Sequence, residues 1–168
     1  MVKKSHKLFV AIFGIIIIFI LSFKLYIEKE KQKAVDNELA IELHEEQNVQ
    51  NTVRGYIIAL KRHDIEKYNS VVTQNLKMNI RSLYFTKIMS IIIDAKFAGD
   101  NLSAIHLKKD DFTTTIQVKY DITFPESFNP EGIYNNGLNK CKVLIDLVKE
   151  DHSWLIKKIY NLKVDTYS

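Results

Sequence analysis

The chain has 168 residues, 46% of them hydrophobic, and a formal charge of +4, which allows one domain with a real core and excludes two ordinary ones. The charge is unevenly placed: residues 1–33 hold seven lysines against Glu28 and Glu30, and the remaining 135 residues hold 17 Lys plus Arg against 18 Asp plus Glu. A near-neutral domain argues against a nucleic-acid partner, which would need a basic patch on the domain itself, and a lone Cys141 excludes an internal disulfide.

Residues 1–7 form a basic head with Lys3, Lys4 and Lys7. Residues 8–27, LFVAIFGIIIIFILSFKLYI, are twenty residues with one charge, Lys24. As a helix they reach roughly 30 Å, the thickness of a bilayer's hydrocarbon core, and predict a transmembrane signal anchor in contact with membrane lipid. A cleaved signal peptide also starts basic and turns apolar. Its apolar run is about 7 to 15 residues and ends in a small-residue cleavage site, which Phe23 to Lys29 does not offer. Lys24 can snorkel to the interface, and Tyr26 suits an aromatic belt. Lys3, Lys4 and Lys7 at one end against Lys24, Lys29, Lys31 and Lys33 at the other leave the positive-inside count undecided. The short basic head favours a cytoplasmic N-terminus and an extracytoplasmic domain at the cell membrane.

Residues 28–39 read as a helical stalk, residues 40–163 as the domain and residues 164–168 as a frayed tail. Val49, Val53, Tyr56, Ile57 and Leu60 make an apolar stripe at helical spacing. Asp64 is placed to cap a second helix over Ile65 to Val72, and Thr73 a third over Asn75 to Ser82. The period then shortens. Lys87 to Ala98 is Ile-rich and ends at the turn signal Gly99-Asp100-Asn101, and Ala104 to Lys108 suggests a short strand. Residues 115–124 alternate cleanly, with Ile116, Val118, Tyr120, Ile122 and Phe124 on one face. Pro125 to Lys140 reads as a loop, and Cys141 to Lys149 with Trp154 to Leu162 reads as a hairpin around Glu150 to Ser153.

One long and two short helices followed by about four antiparallel strands predict an α+β domain. This order, and LIDLVKEDHSWLIKKIYN at residues 144–161, resembles the nuclear transport factor 2-like superfamily, the cystatin-like α+β roll. Many members end in an acidic turn followed by Trp and an apolar strand, as Glu150 to Ile156 do here. The resemblance implies a curved sheet wrapped on the long helix into a cone whose interior binds a small molecule, performs chemistry or is simply filled. Strand alternation assigns Ile91, Ile93, Ala95, Phe97, Ile105, Leu107, Ile116 to Phe124 by twos, Val143, Ile145, Leu147, Trp154, Ile156 and Tyr160 to that interior, with Lys158 the one charge in the register. Tyr56, Tyr68 and Tyr120 are the candidate ligand-lining residues. Asp94, His106 and Asp146 fall on the opposite face.

Leu144, Val148, Leu155 and Ile159 lie out of register with the core set and make the outer face of the last hairpin apolar, which predicts a surface for a protein partner or a homodimer. No catalytic, metal or cofactor motif is present: His44-Glu45-Glu46 and Asp110-Asp111 read as solvated charges, Cys141 and Trp154 as core. The leading expectation is a non-catalytic domain presented at a bacterial envelope for interaction or assembly. Its architecture is similar to that of the single-pass assembly component of type IV secretion and conjugation machines. The alternatives are a sensor for a small apolar ligand and an isomerase- or dehydratase-like enzyme, the latter requiring a carboxylate or histidine inside the cone.

Overall fold

A computed structural model describes residues 2–98, 105–110, 112–128 and 133–166, with side chains from residue 19 onward except at 105–109, 161 and 166. The chain forms two compact units, Met1–Glu45 and Glu46–Ser168. Helix α1 spans Val2–Arg62 and contributes to both.

In the first unit, Phe19, Phe23 and Tyr26 are 72%, 58% and 61% exposed, and Leu39, Ile41 and Leu43 are also exposed. Among the described residues no helix is long and apolar enough to cross a membrane. Much of the expected span at 8–27 falls on residues whose side chains lie outside the described set.

In the second unit α1 ends at Arg62, and His63 follows with φ +54°, turning the chain. Asp64 caps α2 (Ile65–Ser70) as its sequence position predicts, its carboxylate accepting the Lys67 N–H at 2.8 Å. Gly55 lets α1 and α2 approach: a Cβ there would stand 2.9 Å from Val71 Cγ1. The third helix differs from expectation. Thr73 gives no side-chain cap and only a single 3-10 turn follows at Gln74–Leu76, while α3 is Leu83–Lys87, capped by Ser82 Oγ accepting the Phe85 N–H at 3.1 Å.

Five strands form one antiparallel sheet: β1 (Asp94–Phe97), β2 (Ile105–Lys109), β3 (Thr113–Phe124), β4 (Gly137–Glu150) and β5 (Ser153–Thr166). The order is β1-β3-β4-β5, with β2 also paired to β3. β1 is much shorter than the Ile-rich run suggested, because Met89–Ile91 is a 3-10 turn and Ile92 starts the extended segment. Ile92 is therefore the buried residue and Ile93 is 60% exposed, contrary to the expected register. β4 starts at Gly137, inside the expected loop, and β5 runs to Thr166, through most of the expected frayed tail. The hairpin turn is Asp151-His152, both at positive φ (+47° and +66°), the left-handed pair that matches strand twist in two-residue loops.

The core lies between the α1 stripe and the inner sheet face: Val49, Val53, Tyr56, Ile57 and Leu60 meet Ile116 to Phe124 by twos, Val143, Ile145, Leu147, Trp154 and Ile156. The Thr52 hydroxyl donates to the Trp154 carbonyl at 2.8 Å and fixes the helix against the start of β5. Two irregularities in the β4–β5 pairing, at Asp146/Leu147 and Lys142/Leu144, shift its register. After the first, Ile159 pairs with buried Ile145 and packs on the core, whereas Lys158 and Tyr160 pair with Asp146 and Leu144 on the outer face. This corrects both the inward assignment of Tyr160 and the outward assignment of Ile159. A bulge opposes two residues to one, so every side chain beyond it changes face.

Candidate functional site

The interior is aromatic and enclosed. Tyr56 from α1, Tyr68 from α2 and Tyr120 from β3 are buried, as the sequence predicts. Two further tyrosines join them, Tyr84 from α3 and Tyr134 from the segment before β4. The Tyr56 ring lies 5.8 Å from Tyr68, and Tyr68 lies 6.5 Å from Tyr84. Phe124 stacks on Phe128 at 4.6 Å and tilts against Tyr134 at 5.2 Å. Such offset and tilted pairs place ring edges against ring faces, the arrangement favoured by the aromatic quadrupole.

The polar tips neighbour one another within this shell, Tyr56 beside Tyr84, and Tyr120 beside Tyr134 and Cys141, and each shifts its neighbour's titration. Burial is the main cause of a general upward shift in their pKa values. It raises Tyr56 and Tyr120 well above the ordinary phenol value, raises Tyr84 and Tyr134 also, and moves Tyr68 and Cys141 each up to about 12. Neighbouring phenols reinforce the shift because a second phenolate so close would repel the first. The cluster is therefore neutral over the physiological range, able to donate and accept hydrogen bonds but unsuited to removing a proton near neutral pH.

Asn139, fully buried at the start of β4, holds the preceding segment in place. Its amide donates to the Asn135 carbonyl at 2.7 Å and the Gly137 carbonyl at 3.1 Å, and its carbonyl accepts the Asn135 N–H at 2.8 Å. Gly137, at φ +71°, supplies the left-handed residue this loop needs. Beside the aromatic shell, Leu83, Tyr84, Thr86, Lys87, Ile88, Ile91 and Phe128 line an open groove of 570 Å³.

The carboxylates sit elsewhere. Asp94 pairs with Lys61 at 2.8 Å, which holds its pKa below the usual carboxylate value. Asp146, on the outer face, accepts from Thr115 at 2.8 Å and from the Tyr160 hydroxyl at 3.0 Å. The Lys158 ammonium stands 5.0 Å from the centre of the Tyr160 ring. The His106 side chain lies outside the described set. Leu144, Val148 and Leu155 remain half-buried on the outer face, with Val148 directly opposite Leu155. Among the described residues no cluster of His, Cys, Asp and Glu has the grouping of a metal site.

Two solved structures share this arrangement of helices and sheet. One is a proposed aromatic ring hydroxylase from Novosphingobium aromaticivorans, with a TM-score of 0.50 and 12% identity over 73% of this chain and 94% of that one. The other is Rv3472 from Mycobacterium tuberculosis, a protein of unknown function, with a TM-score of 0.52 and 14% identity over 74% of this chain and 79% of that one. The likeness to both is one of α+β fold. Identities this low establish the architecture and transfer no activity. No protein-family model and no curated protein sequence matches the chain.

Tyr84 and Tyr134 are the members of the interior that sequence reasoning missed. Tyr84 follows the Ser82 cap by two residues, and a helix start there would have placed it. Tyr134 sits among Pro, Gly and Asn, where nothing periodic marks a buried side.

Proposed function

We propose that the chain is a non-catalytic interaction module of a bacterial envelope, anchored through residues 8–27 and docking onto a protein partner through the outer sheet face. The observation that carries this reading is the contrast within one sheet. The inner face is occupied by the chain's own aromatic and aliphatic side chains, whereas Leu144, Val148 and Leu155 stay half-exposed on the other. General acid–base catalysis needs a group that titrates near the working pH at a place a substrate can reach, and the interior tyrosines and thiol are pushed away from neutrality by burial. The anchor reading is supported by the exposed Phe19, Phe23 and Tyr26 on α1, an apolar surface that water does not favour. On this reading the N-terminus is cytoplasmic, the domain is extracytoplasmic, and no cofactor is involved. An assembly component of a secretion or conjugation machine is one version of it.

A photo-crosslinking residue at position 148, directly opposite Leu155, in the full chain in native membranes should capture a defined protein, and Leu155→Lys should abolish that adduct. Equal capture by the lysine variant, or adducts with lipid alone, would overturn the docking reading. A second reading, a small apolar ligand in the 570 Å³ groove beside Tyr84, is favoured by the apolar lining of Leu83, Ile88, Ile91 and Phe128.

A further inference from the structure

The outer sheet face carries its charges in rows that the strand registers fix. Lys119 on β3 lies opposite Lys142 on β4, and Lys142 lies opposite Lys163 on β5. All three are exposed, and each sits between residues that face the core, so the three ammonium groups leave the same side of the sheet. Neighbouring strands are about 4.8 Å apart, which makes this a line of like charges at the closest spacing a sheet allows. Directly opposed like charges destabilise a strand pair.

The rows on either side differ. On one side Lys96, Asp121, Lys140 and Asp165 stand in register across four strands, alternating in sign. On the other, Gln117, Leu144 and Tyr160 form a neutral, partly apolar row, followed by a row of mixed sign in which Lys108, Thr115, Asp146 and Lys158 stand in register. The row of single-sign charge is thus one residue wide.

That width selects the ligand. A duplex or a charged lipid surface would cover the whole face and meet Asp121, Asp146 and Asp165 along with the lysines. A second copy of this face would set lysine row near lysine row. A single acidic peptide segment lying across the strands meets the three lysines and lays its apolar residues on Leu144 and Tyr160. We propose that Lys119, Lys142 and Lys163 form the recognition element for an acidic, amphipathic segment of a partner protein.

This inference rests on the docking reading above, and its test separates the two. Full-length protein in detergent micelles is titrated into a fluorescent peptide of alternating Glu and Leu. A Gln/Leu peptide, a DNA duplex and vesicles containing phosphatidylglycerol serve as controls. The Glu/Leu peptide should bind, weaken as salt rises, and lose about tenfold or more in affinity with Lys142→Glu. Lys142→Gln should lose less. Binding that ignores Lys142→Glu, binding of duplex or vesicles in preference to the peptide, or no binding at all overturns the lysine row as an acidic-peptide site. If the crosslinked adduct at position 148 survives Lys142→Glu but not Leu155→Lys, the docking reading stands and this inference falls. Loss with neither variant removes both.

Discussion

The two faces of the sheet are made by the same strands and follow opposite rules. Inward, Ile116, Val118, Tyr120, Ile122 and Phe124 are each 2% exposed or less, and burial raises the pKa values of the phenol and thiol groups among them. Outward, like charges are set side by side and apolar side chains are left half-covered. A face selected only for stability would alternate its charges, as the Lys96-Asp121-Lys140-Asp165 row does. The inner face bears the mark of stability; the outer face does not, which is what the proposed docking role requires.

The largest expected effect belongs inside. Phe124→Ala removes a ring that touches both Phe128 and Tyr134 and should cost about 3–5 kcal/mol in denaturant unfolding; a loss below about 1 kcal/mol would mean the interior is not close-packed. Asn139→Ala leaves the Asn135 N–H without its side-chain acceptor and the loop without its tie, a cost of about 1–3 kcal/mol. Hydrogen exchange should show the residues before β4 opening first.

Tyr56→Phe deletes one hydroxyl of the inner network, and thermal unfolding should register a loss of about 1 kcal/mol. The same network gives a pH signature. Folded tyrosines with raised pKa values keep their protons where unfolded ones release them, so their contribution is complete below the ordinary phenol value and lost as pH rises toward the folded values. Stability should fall above pH 10, where Tyr68 still holds its proton up to about 12. Flat stability from pH 9 to 12 would contradict the enclosed phenols.

The smallest effect has the opposite sign. Lys142→Glu places an anion between Lys119 and Lys163 and should stabilise the domain by about 0.2–1 kcal/mol, more at low salt. A variant that gains stability while losing peptide affinity is the behaviour of a residue kept for binding. Destabilisation by Lys142→Glu would blur the distinction between the faces.

Most of the inner face was legible in the sequence, because period-two alternation over β3 and the α1 stripe report burial directly, and Tyr56 and Tyr120 followed from it. The outer face was less so. The shift near Asp146 involves no Gly or Pro, only Lys157-Lys158, and strict alternation therefore carried Tyr160 inward and Ile159 outward. Lys158 falling in a buried register was the available warning, since a lysine is almost never enclosed without a partner. The lysine row was invisible for another reason: Lys119, Lys142 and Lys163 are far apart in sequence and meet only through pairing, and a nearly neutral composition conceals them. Ile93 was misplaced because a 3-10 turn at Met89–Ile91 delays the strand.

Trp154 is the chain's one tryptophan, almost wholly enclosed, and its backbone carbonyl receives the Thr52 hydroxyl. The protein thus carries its own optical probe at the junction of α1 and β5. Its fluorescence should be blue-shifted in the folded state and move to longer wavelength as that junction opens. The neighbouring Leu155 points to the other side of the sheet, so a partner seated there should alter the emission intensity without the red shift of unfolding, separating docking from denaturation in one unlabelled spectrum.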